Sequence, residues 1–225
     1  MLGFATAIVR AFPISPNLTQ IGVLKFSDSA SVSFLLNRYS NMNDVIAAIR
    51  NLQIGFGNTN IAAALRVARS TLFSPRNGAR PDLPNILILV TDGAANIDDQ
   101  LTIPEADSAK AAGIEIFTVG ITTHINEQQL RQIATTPSHF YFASDFAALG
   151  SVLQSLLDHS CTAAATVAPV ATPRPGRSTS PVTLICYPVT FPSTTTTTTP
   201  SGTTSTSPST TVFGQQRYSR VLEVS

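Results

Sequence analysis

The chain has 225 residues, a formal net charge of +1 and only 12% charged side chains. Nothing in that balance argues for a nucleic-acid or anionic-membrane partner. The hydrophobic share of 43% is ordinary globular usage, and no apolar run reaches the length that spans a bilayer. There is enough chain for one domain with a core, plus an extension.

Phe4, Ala5, Ile8, Val9 and Phe12 recur at helical spacing, which predicts an amphipathic helix over the first dozen residues. The same residues make a poor secretory signal, because no basic region leads them and Arg10 interrupts the apolar run. Residues 13–17 read as a loop, and Asn17-Leu-Thr19 within and beside it is an N-glycosylation sequon. Residues 20–27 and 31–36 read as two strands whose short link predicts antiparallel pairing. Val45, Ile46, Ile49 and Leu52 mark a helix over 43–52. A glycine-rich loop over 55–60 opens an alanine-rich helix over 61–73. Its Gly-Phe-Gly start lacks the third glycine and the preceding strand of a dinucleotide fingerprint.

Ile86-Leu-Ile-Leu-Val90 runs straight into Thr91-Asp92-Gly93. A continuous apolar run closed by Asp-Gly predicts a parallel strand buried on both faces and ending in a tight turn. Ligand chemistry in open α/β sheets sits beyond the carboxyl ends of such strands. Asp92 is therefore either a site carboxylate or the side chain of an Asx turn. A helix over 105–112 ended by Gly113, a strand over 114–121, a helix over 126–134 capped by Asn126, a strand over 140–142 and a last helix from about Asp145 to Leu157 follow. Strands alternating with helices predict a mostly parallel sheet covered on both faces, an α/β doubly wound fold with one antiparallel edge strand.

Beyond Cys161 the composition turns to Ala, Thr, Ser and Pro, with an unbroken threonine run over 194–199. Such a stretch buries too little apolar surface to offset its ordering entropy, so 162–225 is expected to be disordered, as a mucin-like stalk or a plain linker. Val182-Thr-Leu-Ile-Cys-Tyr-Pro188 is a small apolar island within it. Cys161 and Cys186 form no metal or redox motif and are left either paired or free. His124, His139 and His159 are scattered without ligand spacing, and no Walker lysine or Gly-x-Ser-x-Gly elbow is present.

Five segments in order carry a family resemblance. Residues 20–27 are similar to the second strand of von Willebrand factor type A domains, and Gly55-Phe-Gly-Asn-Thr-Asn-Ile-Ala-Ala-Ala-Leu65 resembles their second metal-site loop and following helix. Val90-Thr-Asp-Gly93 resembles the third loop, residues 109–121 the next helix and strand, and residues 140–161 the last strand and helix. The likeness covers 1–161 and leans to the extracellular matrix type seen in collagen VI and matrilins.

The resemblance implies a protein-binding adhesion module with a divalent-cation site. Thr59 and Asp92 match two of its ligands, while the family's Asp-x-Ser-x-Ser motif is absent. Mg²⁺ or Mn²⁺ seeks six oxygens, and one hydroxyl with one carboxylate is too few to hold it firmly. The resemblance also implies that the family's first, central strand is missing. Two unpaired ladders and roughly 1.5–3 kcal/mol per lost large apolar side chain would then exceed a domain's usual margin, so the sequence is expected to be a piece of a longer domain. The implied role is non-enzymatic, extracellular, with a protein ligand and no membrane span. The alternatives are an intracellular scaffold of the same family and, further off, a Rossmann-like enzyme.

Overall fold

The computed structural model describes residues 2–53, 57–143 and 218–224. Among the described residues the strands are β1 (Thr19–Phe26), β2 (Ala30–Phe34), β3 (Asn85–Thr91), β4 (Ile114–Ile121), β5 (Phe140–Ala143) and β6 (Tyr218–Val224). The α-helices are α1 (Leu2–Arg10), α2 (Met42–Arg50), α3 (Ile61–Val67), α4 (Asp99–Ala111) and α5 (Glu127–Ile133). One sheet forms with the order β2-β1-β6-β3-β4-β5. All neighbours are parallel except β1 and β2 at one edge, so the doubly wound α/β sheet with an antiparallel edge strand is present.

The β3 run shows why this sheet is covered on both faces. Successive side chains point to opposite sides. Ile86, Ile88 and Val90 pack into one core with Phe4, Ile8 and Val9 of α1 and Val45, Ile46 and Ile49 of α2. Leu87 and Leu89 enter a second core with Leu65, Leu72, Ala106, Leu130 and Ile133. Full burial of each such side chain contributes about 1.5–3 kcal/mol. Gly22 of β1 lies where the chain packs closely. A methyl group there would sit 3.3 Å from both the Leu36 backbone nitrogen and Leu72 Cδ2.

Two helices depart from expectation. The predicted helix over 61–73 is α3 followed by one π turn, Ala68–Leu72, with Phe73 N–H donating to the Ala68 carbonyl at 2.9 Å. The helix expected over 105–112 begins six residues earlier, at Asp99, and contains Pro104. Proline in a helix interior removes one hydrogen bond and normally ends the reading. Here Ser108 Oγ donates to the Pro104 carbonyl at 2.8 Å, and α4 buries Thr102, Ala106 and Ala109 against the sheet side. Gly113 follows at φ +77°, in the left-handed region, and closes the helix as expected.

The centre of the sheet brings the main correction. No strand preceding β1 stands there among the described residues, as the sequence leads one to expect, but the position is not left open. Tyr218–Val224, within the stretch expected to be disordered, lies between β1 and β3 and pairs with both in parallel. It matches Thr19 to Lys25 on one side and Asn85 to Val90 on the other, so neither ladder is left unpaired. Backbone hydrogen bonding supplies what composition concealed, because a ladder needs N–H and C=O groups and little from the side chains. The remainder of 162–225, the boundary at 161/162, both cysteines, the apolar island and the last predicted helix lie outside the described residues.

Candidate functional site

Parallel strands deliver their carboxyl ends to one side of the sheet. β1 ends into Ser27-Asp28, β3 into Asp92-Gly93 and β4 into Thr122, while the loop before α3 brings Asn58, Thr59 and Asn60 to the same side. Thr59 and Asp92, 33 positions apart in sequence, are therefore brought to the same end of the sheet. Thr59 Oγ1 lies 3.0 Å from where a side chain on Gly93 would begin. A side chain at Gly93 would press on that hydroxyl, which would have to shift by a few tenths of an ångström.

The turn after β3 is closed by Thr91, not by Asp92. Gly93 N–H donates to Thr91 Oγ1 at 3.2 Å, and Thr91 Oγ1 donates to the Gly93 carbonyl at 2.9 Å. That replaces the Asx turn considered from sequence. Asp92 is exposed, and among the described residues its carboxylate accepts no hydrogen bond. Its backbone carbonyl accepts from Thr122 Oγ1 at 3.3 Å. Thr122 holds φ at +70°, which is costly for a β-branched residue and here sits against the site.

The Thr59 loop is held by asparagines that the sequence reading did not single out. Asn96 Oδ1 accepts from Thr59 N–H at 2.7 Å, and Asn96 N–H donates to the Thr59 carbonyl at 3.0 Å. Asn60, only 5% exposed, is the N-cap of α3, its Oδ1 accepting from Ala63 N–H at 2.8 Å. The cap is thus Asn60 and not Thr59, which leaves the Thr59 hydroxyl free of that duty. Asn60 Nδ2 also donates to Asp98 Oδ2 at 3.2 Å, and Asn60 N–H to the Ser27 carbonyl at 2.8 Å.

Asp28 is a second carboxylate on this side. Its Oδ1 accepts from Asn58 Nδ2 at 2.7 Å and from Asn58 N–H at 3.1 Å. The Asn58 side-chain amide, and then its backbone N–H, hold the Asp28 carboxyl below its ordinary value. From sequence, Asp28 read only as part of a hairpin link. The available signal was the density of Asn and Asp at three strand or loop ends, a signal shared with ordinary turns.

Asn17 sits at the other end. It is exposed in the loop before β1, so the length of that strand separates it from Asp28. Arg80 pins this loop through Nη2 to the Leu18 carbonyl at 2.6 Å and Nη1 to the Pro16 carbonyl at 3.2 Å. A glycan on Asn17 would leave the Thr59 and Asp92 face open.

Toward a divalent ion, this face offers the Asp92 carboxylate and the Thr59 hydroxyl. The Asp28 carboxylate is already engaged by Asn58. Among the described residues, no group of three or more His, Cys, Asp and Glu is placed to hold a metal ion. Nor, among them, is any helix long and apolar enough to cross a membrane.

Comparison with known proteins agrees with this architecture. The family model for the von Willebrand factor type A domain matches residues 1–155. The transmembrane cell adhesion receptor mua-3 of Caenorhabditis elegans is 30% identical over 193 residues, covering 84% of this chain and 5% of that protein. Matrilin-1 of Gallus gallus is 31% identical over 155 residues, covering 68% of this chain and 31% of its own. The chain thus spans less than a third of the length of either relative. Proximal thread matrix protein 1 from the mussel byssus, in a structure with a zinc-occupied MIDAS motif, superposes with a TM-score of 0.68 at 29% identity, covering 72% of this chain and 42% of that one. With the family model matching residues 1–155 and relatives at 30–31% identity over most of its length, this chain belongs to the von Willebrand factor type A domain family.

Proposed function

We propose that this domain is a protein-binding module of the extracellular matrix or cell surface, not a catalyst, and that its contact face is the end of the sheet where Thr59 and Asp92 lie. The observation that carries the reading is the free Asp92 carboxylate beside a Thr59 hydroxyl admitted by Gly93. The adhesion receptor and matrix proteins among the relatives support it.

Thr59 and Asp92 would contribute two oxygens to Mg²⁺ or Mn²⁺, with water and a carboxylate from the protein ligand filling the remaining positions. A bound cation would supply the positive charge that recognises that carboxylate. With one charged donor from the chain, the ion alone is held weakly and more firmly once the ligand is present. Asn60, Asn96 and Gly93 position the Thr59 hydroxyl for this role.

Calorimetric titration of Mn²⁺ into the chain and into Asp92→Ala tests the site. The expected result is weak binding that falls at least tenfold in the variant, and equal affinity in the two removes Asp92. Retention on isolated extracellular matrix, lost on adding a chelator, tests the role. In a secreted preparation, treatment with peptide-N-glycosidase should lower the mass through Asn17; an unmodified Asn17 weighs against the extracellular placement.

A further inference from the structure

β1 and β3 do not touch as strands; each pairs with β6 and neither with the other. The middle of the sheet is therefore a slot lined by two strands, with seven residues of β1 and six of β3 in register with the occupant. Ile21, Val23 and Leu24 on one side and Ile86 to Leu89 on the other are buried to 1% exposure or less. An empty slot would leave two rows of backbone donors and acceptors unpaired between apolar layers, which folded proteins avoid.

The occupant comes from far along the chain. Positions 144–217 separate β5 from β6, which is 74 residues. A stretch of that length reaches at most roughly 250 Å when extended, several times the width of a domain. Length therefore does not oblige β6 to enter its own sheet. A strand from another molecule would form the same ladders, so the two arrangements differ chiefly in the entropy of association, the condition under which identical elements exchange between copies.

The residues of β1 and β3 that flank the start of β6 carry unpartnered polar atoms. Thr19 pairs with Tyr218, and Gln20 and Asn85 both pair with Ser219. Thr19 Oγ1, Gln20 Oε1 and Asn85 Oδ1 are buried there without a hydrogen-bond partner. Three orphaned acceptors and donors weaken that end relative to the middle of the slot, and opening begins where local stability is lowest.

We propose that the slot between β1 and β3 is a strand-acceptor site and that its partner is a second copy of this chain, whose Tyr218–Val224 enters in the same parallel register. β6 starts at the sheet end opposite Thr59 and Asp92, so an exchanged pair keeps both contact faces exposed. Two linked faces raise avidity for a repetitive matrix without any new contact.

The test uses the full chain. Wild type and Val221→Pro are compared by sedimentation velocity from micromolar to near-millimolar concentration, after brief exposure to mild denaturant to allow opening. Proline in the middle of a strand paired on both edges removes a ladder donor. The expected result is a wild-type dimer whose fraction rises with concentration and falls at least tenfold in Val221→Pro. A wild type that stays monomeric throughout, or a variant that dimerises equally, overturns the proposal. Because Val221→Pro could fold poorly, it is also refolded with a synthetic peptide of residues 214–225. Saturable binding that restores hydrogen-exchange protection to Asn85–Thr91 supports the acceptor site. Protection that stays low with that peptide present overturns it. Neither readout depends on cation or matrix binding, so failure here is distinguishable from failure of the adhesive role.

Discussion

Asn96 grips Thr59 from both sides of its backbone. Its side-chain oxygen accepts from Thr59 N–H at 2.7 Å, and its own N–H donates to the Thr59 carbonyl at 3.0 Å. The loop after β3 thus sets the position of the loop before α3, so the two matched ligand positions are coupled through the backbone and not through each other's side chains.

Asn96→Ala should therefore loosen Thr59 without touching Asp92. The variant also loses the longer bond from Asn96 Nδ2 to Asn58 Oδ1 at 3.3 Å, and exposed hydrogen bonds of this kind contribute about 1 kcal/mol each at most. Denaturant unfolding is expected to show a loss of that size, with Mn²⁺ affinity falling by more than the stability change alone accounts for. Unchanged affinity would mean that Thr59 adds nothing to the site.

Asn60→Ala removes the N-cap of α3 and the bond from Asn60 Nδ2 to Asp98. Losing a side-chain cap costs about 0.5–2 kcal/mol, and the buried position puts this one toward the upper end. Asn60→Asp keeps the cap acceptor but faces Asp98 with like charge, so it should recover only part of the loss. Full recovery in thermal melts would show that the Asp98 contact is immaterial.

Acid should weaken the link between α3 and α4. Glu105 Oε1 accepts from Arg66 Nε at 2.8 Å and Oε2 from Arg69 Nη2 at 2.9 Å, with 16% of the Glu105 side chain exposed. Burial pushes its carboxyl up, but the two guanidinium groups outweigh burial and hold it below the usual carboxylate range. A carboxyl depressed on folding stabilises fully above its unfolded value, about 4.3, and that stabilisation disappears as pH falls through the lower folded value. Wild type should exceed Glu105→Gln at pH 7 by about 1–2 kcal/mol, allowing for screening of the half-exposed Arg66. The gap between their melting temperatures should close below about pH 4. A gap that persists in acid would assign the effect to packing.

Gly22→Ala places a methyl 3.3 Å from the Leu36 nitrogen and from Leu72 Cδ2. Overpacking of this kind costs about 1–3 kcal/mol. Gly113→Ala meets no neighbour within 4 Å but adopts φ +77°, so its cost is backbone strain alone and should be near 1 kcal/mol. Equal losses in chemical denaturation would show that the space at Gly22 can adjust.

Much of this domain was legible in the linear chain. The apolar run from Ile86 to Val90, the helical stripe of α1, the Asn126 cap of α5 and the αL glycine after α4 are local signals, and local periodicity and capping chemistry determine them. The ordered motifs also led to Thr59 and Asp92, which the fold places at the same end of the sheet. The asparagines around them were not legible, because Asn58, Asn60 and Asn96 look like any turn residues until three loops converge. Nor was β6. Its neighbours lie nearly 200 positions away at β1 and more than 120 away at β3, and its setting is a Ser/Thr/Pro-rich stretch whose average argues against order. A strand in mid-sheet is selected by two rows of waiting hydrogen-bond partners, and those rows exist only after the layers around them have assembled.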